Sequence, residues 1–194
     1  MGKKKYQEQV AELFKKSPVV GYKSIERIVK SRSNSEQYAK QLIRNLVLSK
    51  KIKRLAKGVY TIYNDASLAV FCFKGYLGLQ DALSIYNLWE QETIPIIITT
   101  KKIRQGIRNI IGSNVLIRKL DKKYFFGFDY IKHEDFYLPY SDIEKTFIDL
   151  IYFRQKIDKE TLENIKGKIN REKLRKYLKI YPKRISKKIL KVLN

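Results

Sequence analysis

Residues 33–63, SNSEQYAKQLIRNLVLSKKIKRLAKGVYTIY, read as a helix followed at once by a short β-hairpin. Ser33-Asn34-Ser35-Glu36 has the S-x-x-E form of a capping box, in which hydroxyl and carboxylate satisfy backbone amides at a helix start. Ala39, Leu42, Ile43 and Leu46 then recur at helical spacing and mark one buried face. Gln37, Gln41 and Arg44 fall opposite that stripe, with Asn34 and Lys40 on its flanks. Side chains of these types read base edges or grip phosphates. Downstream, Ile52-Lys53-Arg54-Leu55, a turn at Ala56-Lys57-Gly58, and Val59-Tyr60-Thr61-Ile62-Tyr63 have the β-branched and aromatic texture of paired strands.

Two shorter helices precede this stretch. One spans about residues 5–16, with Tyr6, Val10, Leu13 and Phe14 on one side and Ser17-Pro18 as its stop. The other spans about residues 23–31, with Ile25, Ile28 and Val29 inward. Three helices and a basic hairpin in some sixty residues predict a winged helix-turn-helix over residues 1–63. In such a module the third helix enters the major groove and the hairpin lies along phosphates. Winged helices also serve as protein-interaction modules, so charge has to weigh in.

The chain has 194 residues and a formal net charge of +23, unevenly spread. Residues 1–63 carry +12, residues 64–157 only +2, and residues 158–194 carry +9. Two basic ends flanking a nearly neutral middle point to a polyanion partner, because counterion release from phosphates drives such binding. Solvated lysine faces with no partner are the bland alternative, strongest for the C-terminal tail. The single cysteine, Cys72, excludes an internal disulfide, and with the single histidine, His133, it argues against a Cys/His zinc site. No apolar run approaches the length of a membrane span, and MGKKKYQEQ lacks the apolar core of a signal peptide. A cytoplasmic protein without cofactor or membrane partner is expected.

Residues 64–194 read as a mixed α/β domain, which makes the whole chain α+β. Asn64-Asp65 can cap a helix through Leu68, Phe71 and Cys72, although LAVFCF also has the composition of a buried strand. A helix is expected over 79–89, then a strand at Ile96-Ile97-Ile98-Thr99, apolar enough for burial on both faces. Residues 101–111 read as a short basic helix or loop. Strands follow at 115–120 and 124–132, with a turn at Asp121-Lys122-Lys123 between them, and at 136–138, ended by Pro139. A second capping box, Ser141-Asp142-Ile143-Glu144, opens a helix with Ile143, Phe147, Leu150 and Ile151 inward. A basic helical tail begins near residue 155, with helices at about 159–167, 171–180 and 182–193 and breaks at Gly167 and Pro182.

The order of these features resembles the AbiEi antitoxin family. The likeness rests on Leu55-Ala56-Lys57-Gly58-Val59-Tyr60, on Gly75-Tyr76-Leu77 before a helix with Asp81-Ala82-Leu83, and on the strand from Ile96 to Thr100. It continues through the Phe-Gly-Phe-rich strand pair to Ile143-Glu144-Lys145-Thr146-Phe147-Ile148-Asp149-Leu150, covering about residues 5–155. The resemblance implies a sequence-specific DNA-binding antitoxin that represses its own toxin–antitoxin operon. It implies binding to promoter inverted repeats through the winged helix, with cooperative self-association on DNA. A nucleotidyltransferase-like toxin is the implied partner, counteracted directly or only functionally. Carried onto this sequence, the DNA-binding residues would be Ser35, Gln37, Lys40, Gln41 and Arg44 on the helix and Lys53, Arg54 and Lys57 on the hairpin.

Two other readings compete. An ordinary winged-helix regulator with a ligand-sensing or oligomerisation domain would bind DNA in the same way without a toxin partner. An enzyme could draw metal-binding carboxylates from Asp129, Glu134, Asp135, Asp142, Glu144 and Asp149, with Lys132 or Lys145 nearby. Against it, Glu144 has a capping role and Asp149 a solvated role available, His133 lacks a recognisable partner, and no G-x-x-x-x-G-K-[ST] loop occurs. No catalytic residue is assigned.

Overall fold

A computed structural model describes residues 2–30 and 36–193. The chain is α+β and divides into two units: Met1–Cys72 with Asn109–Ser113, and Phe73–Arg108 with Asn114–Asn194. Ser33, Asn34 and Ser35 of the first expected capping box lie outside the described residues.

The first unit runs α1 (Gly2–Lys16), β1 (Val20–Gly21), α2 (Tyr22–Lys30), α3 (Glu36–Leu48), β2 (Lys53–Ala56) and β3 (Val59–Thr61). Its three strands form an antiparallel sheet in the order β1-β3-β2, with Val20 opposite Tyr60 and Lys53 opposite Thr61. The periodic apolar residues close one core: Val10 and Phe14 from α1, Ile25 and Val29 from α2, and Ala39, Leu42, Ile43 and Leu46 from α3. Each leucine or isoleucine fully buried there contributes roughly 1.5–3 kcal/mol by its removal from water. β1 was not legible in the sequence, since two residues carry no period. It is fixed by pairing to β3 and by the Tyr22 amide, which donates to the Gly58 carbonyl at 2.7 Å.

Asp65 caps a 3-10 turn at Ala66–Leu68 by accepting from the Ser67 amide, and the turn leads into α4 (Ala69–Phe73). LAVFCF is therefore helical. Then come β4 (Tyr76–Leu77), α5 (Gln80–Ile85), β5 (Ile96–Thr99), β6 (Gly106–Ile110), β7 (Ser113–Lys119), β8 (Phe128–His133) and β9 (Phe136–Ser141). Helices α6 (Ile143–Tyr152), α7 (Lys159–Lys168), α8 (Arg171–Leu178) and α9 (Lys183–Leu193) end the chain. The mixed six-stranded sheet has the order β6-β7-β5-β4-β9-β8. β5 pairs antiparallel with β4 and parallel with β7, and all four of its residues are buried, as its unbroken apolar run requires. Among the described residues no helix is long and apolar enough to cross a membrane.

Several expectations need correction. The helix expected over 79–89 stops at Ile85, because Asn87 turns left-handed (φ 53°) and the Leu88 amide closes back on the Leu83 carbonyl. The stretch 101–111 contains a strand, β6, whose hairpin to β7 turns at Gly112 with φ 90°. The strand expected from Tyr124 starts only at Phe128, since Tyr124 closes a 3-10 turn and stacks on Tyr181 with ring centroids 4.2 Å apart. Pro139 does not end β9 but sits inside it, opposite Tyr130. Gly167 lies within α7 rather than breaking it, and Asn170 starts α8 by accepting from the Glu172 and Lys173 amides. The cap of α6 is Asp142, not Ser141, and the buried Glu144 accepts instead from the Asn170 amide at the start of α8.

Candidate nucleic-acid interface

α3 presents two rows of side chains on the side away from its buried stripe. Gln37, Gln41 and Asn45, four residues apart, form a row of amides, and Gln41 Nε2 donates to Asn45 Oδ1 at 3.0 Å. Lys40, Arg44 and Leu48, also four apart, form the neighbouring row, in which Leu48 is 70% exposed. Residues at i and i+4 stack on one helix face, so the first row is a line of amides and the second a pair of cations ending in an apolar side chain. The amide row carries donor–acceptor pairs of the kind that match adenine, and the cationic row matches guanine or phosphate.

The cationic row meets the hairpin. Lys40, Arg44 and Arg54 line one groove of about 320 Å³ together with Tyr22, Val47 and Leu48. Arg54 is exposed on β2, where its Nε donates to the Ala56 carbonyl at 3.3 Å. Lys53 is partly buried and points elsewhere, its Nζ bonding Asn64 Oδ1 at 2.9 Å. Lys57 is exposed in the turn, next to Gly58, whose φ of 72° the tight reversal requires. Of the sequence-assigned residues, then, Lys40, Arg44 and Arg54 share the groove, Gln37 and Gln41 form the adjoining row, and Lys57 stands at the hairpin tip. Lys53 is tied to Asn64, and Ser35 lies outside the described residues. Sequence reasoning missed Tyr22, Asn45 and Leu48. Asn45 was detectable, since it continues the four-residue spacing of Gln37 and Gln41. Tyr22 was not, because only the fold brings it to α3.

Of the carboxylates weighed for catalysis, only Asp142 and Glu144 meet, on the shared ammonium of Lys173. Asp129, Glu134 and Asp135 are exposed on the β8–β9 hairpin. Asp142 caps α6 and accepts from the Tyr177 hydroxyl at 2.7 Å and from Lys173 at 3.1 Å. Glu144 accepts from the Asn170 amide at 2.7 Å and pairs with Lys173 at 3.2 Å. Asp149, expected in a solvated role, is wholly buried and paired with Lys145, also wholly buried, while the Tyr76 hydroxyl donates to it at 2.6 Å. Four residues apart on α6, the two charges meet inside the core. Burial holds Lys145 below and Asp149 above their usual ranges, each resisted by the charge of the other. Among the described residues, no group of three or more His, Cys, Asp or Glu side chains is placed to hold a metal ion.

No protein-family profile matches the chain, and no curated protein matches it. The fold is similar to the crystal structure of the RV2827C protein from Mycobacterium tuberculosis, with a TM-score of 0.61 at 11% identity. The likeness covers 98% of this chain and 78% of that one. At that identity it speaks for the fold alone.

Proposed function

We propose that this chain is a DNA-binding regulator whose first unit is a winged helix-turn-helix. In this reading α3 lies in the major groove, with Gln37, Gln41 and Arg44 toward the bases. Lys40, Arg54 and Lys57 hold the phosphate backbone. The observation that carries it is the groove where Lys40 and Arg44 of α3 meet Arg54 of the hairpin, beside the amide row of the same helix. The element order helix–strand–helix–helix–strand–strand, with its antiparallel three-stranded sheet, supports the same reading. So does the charge of +12 on residues 1–63, which phosphates would neutralise.

Within that reading, the sequence resemblance makes the chain the antitoxin of a toxin–antitoxin operon. It would bind inverted repeats in its own promoter cooperatively and counteract a nucleotidyltransferase-like toxin in the cytoplasm. The second unit is read as regulatory rather than enzymatic, because the acids on α6 and its cap are committed to partners within the fold.

The test is a gel-shift titration of the full chain on its own upstream DNA against random duplex at two salt concentrations. Stepwise, sequence-selective shifts are expected. Equal and steeply salt-dependent binding to both duplexes would reduce the interaction to generic charge and overturn the reading.

A further inference from the structure

The second unit holds a cavity that DNA binding does not use. It has a volume of about 380 Å³ and lies where the end of α6 meets the start of α9. Ile151, Tyr152 and Ile185 supply apolar lining, and Arg154, Arg184 and Lys188 supply three positive charges. Arg184 and Lys188 stand four residues apart on α9, so they share a helix face. None of the three cations forms an ion pair with a described carboxylate. Five of the unit's acids are engaged elsewhere: Asp142 and Glu144 with Lys173, Asp149 with Lys145, Glu163 with Lys166, and Asp158 as the cap of α7.

Three like charges around one concavity repel one another until an anion enters. The apolar lining adds a second requirement, since a bare inorganic anion gains nothing from Ile151, Tyr152 or Ile185. A duplex cannot supply both, because its phosphates lie on a convex surface and its bases stay stacked inside. The volume falls in the range of about 300–1,000 Å³ typical of small-molecule sites.

We propose that this cavity is a nucleotide site that takes a nucleoside polyphosphate, with phosphates against Arg154, Arg184 and Lys188 and the base against Ile151, Tyr152 and Ile185. The site is independent of the DNA-binding reading and stands or falls without it.

Isothermal titration of the full chain with ATP, GTP, tripolyphosphate and adenosine tests the proposal. A nucleoside triphosphate is expected to bind at least tenfold more tightly than tripolyphosphate or adenosine. The exposed pair Arg184→Ala/Lys188→Ala should weaken it at least tenfold, whereas Arg44→Ala/Arg54→Ala should not. Amide chemical-shift changes on adding ATP should centre on residues 151–154 and 182–188. Tripolyphosphate binding as tightly as ATP, shifts centred on α3, loss of binding through Arg44 and Arg54 instead, or no binding at millimolar ATP would each overturn it.

Discussion

Arg44 and Arg54 line the same groove, one from the exposed face of α3 and the other from the first strand of the hairpin. In the proposed DNA-binding reading, their guanidiniums bring a helix and a strand to bear on one polyanion surface. That reading gives each a different task, since a helix side chain can enter the major groove while a hairpin side chain follows the backbone.

Arg44→Ala should therefore cost about 1–3 kcal/mol at the preferred site and little on random duplex, as loss of a guanine contact does. Arg54→Ala should weaken all duplexes alike and flatten the salt dependence by about one unit. Gel shifts over a salt series read both effects. If Arg44→Ala alters specific and nonspecific binding equally, α3 does not read sequence through it.

The buried pair in α6 gives a prediction about stability. Asp149→Asn removes the charge that offsets the burial of Lys145 and leaves its amine unpaired in the core, which should cost about 3–5 kcal/mol in denaturant unfolding. Replacing both, as Lys145→Met/Asp149→Leu, should recover much of that loss. A single substitution costing under about 1 kcal/mol would show that the charge is not confined as described.

Gly127, in the Phe-Gly-Phe stretch, has φ 71°, and an added Cβ would lie 2.9 Å from Lys145 Cβ. Its carbonyl also accepts from the Asp142 amide at 3.0 Å. Gly127→Ala should destabilise the chain by about 1–3 kcal/mol, since both the backbone conformation and the space are wrong for a side chain. Thermal unfolding unchanged from the parent would contradict this packing.

Alkaline pH should unfold the second unit. Burial and the Asp149 carboxylate raise Tyr76 well above the usual tyrosine range, and burial with the charge of Asp142 raises Tyr86 to about 12. Burial and the hydrogen bond to Asp142 raise Tyr177. Burial pulls Lys173 down, but its bonds to Asp142 and Glu144 outweigh that and leave it raised. Groups whose folded pKa exceeds the unfolded value give stability that is complete below the unfolded pKa of about 10. That stability is lost as pH rises toward 12 and beyond. Ultraviolet titration should show part of the phenolate signal appearing only with cooperative unfolding, and a smooth independent titration of all the tyrosines would refute it.

What the sequence revealed and what it hid divide along physical lines. The stripe Ala39–Leu42–Ile43–Leu46 and the run Ile96–Thr99 were readable because burial imposes a period on the first and erases it from the second. β1 and β4, two residues each, carry too few side chains for any period and exist through pairing alone. Asp149 was expected in a solvated role, and Asp81 was read only as part of a helical motif. Asp81 instead accepts from the Ile96 amide at 3.0 Å, and Asp149 closes the pair with Lys145. A buried acid is recognisable only once its distant partner is placed beside it. In the groove of the first unit, Lys40, Arg44 and Arg54 were named from helix phase and hairpin charge, whereas Tyr22 needed the fold.

Helices α8 and α9 turn Leu174, Leu178, Ile189 and Leu193 into the core and leave Arg171, Arg175, Lys176, Lys179, Lys183, Lys187 and Lys191 in solvent. Substituting such exposed residues costs little, usually within about 0.5 kcal/mol. In evolutionary terms the tail is a layer of charge mounted on a fixed frame. A lineage can erase or reverse its field one codon at a time without passing through an unfolded ancestor, so selection on what the tail attracts is uncoupled from selection on folding.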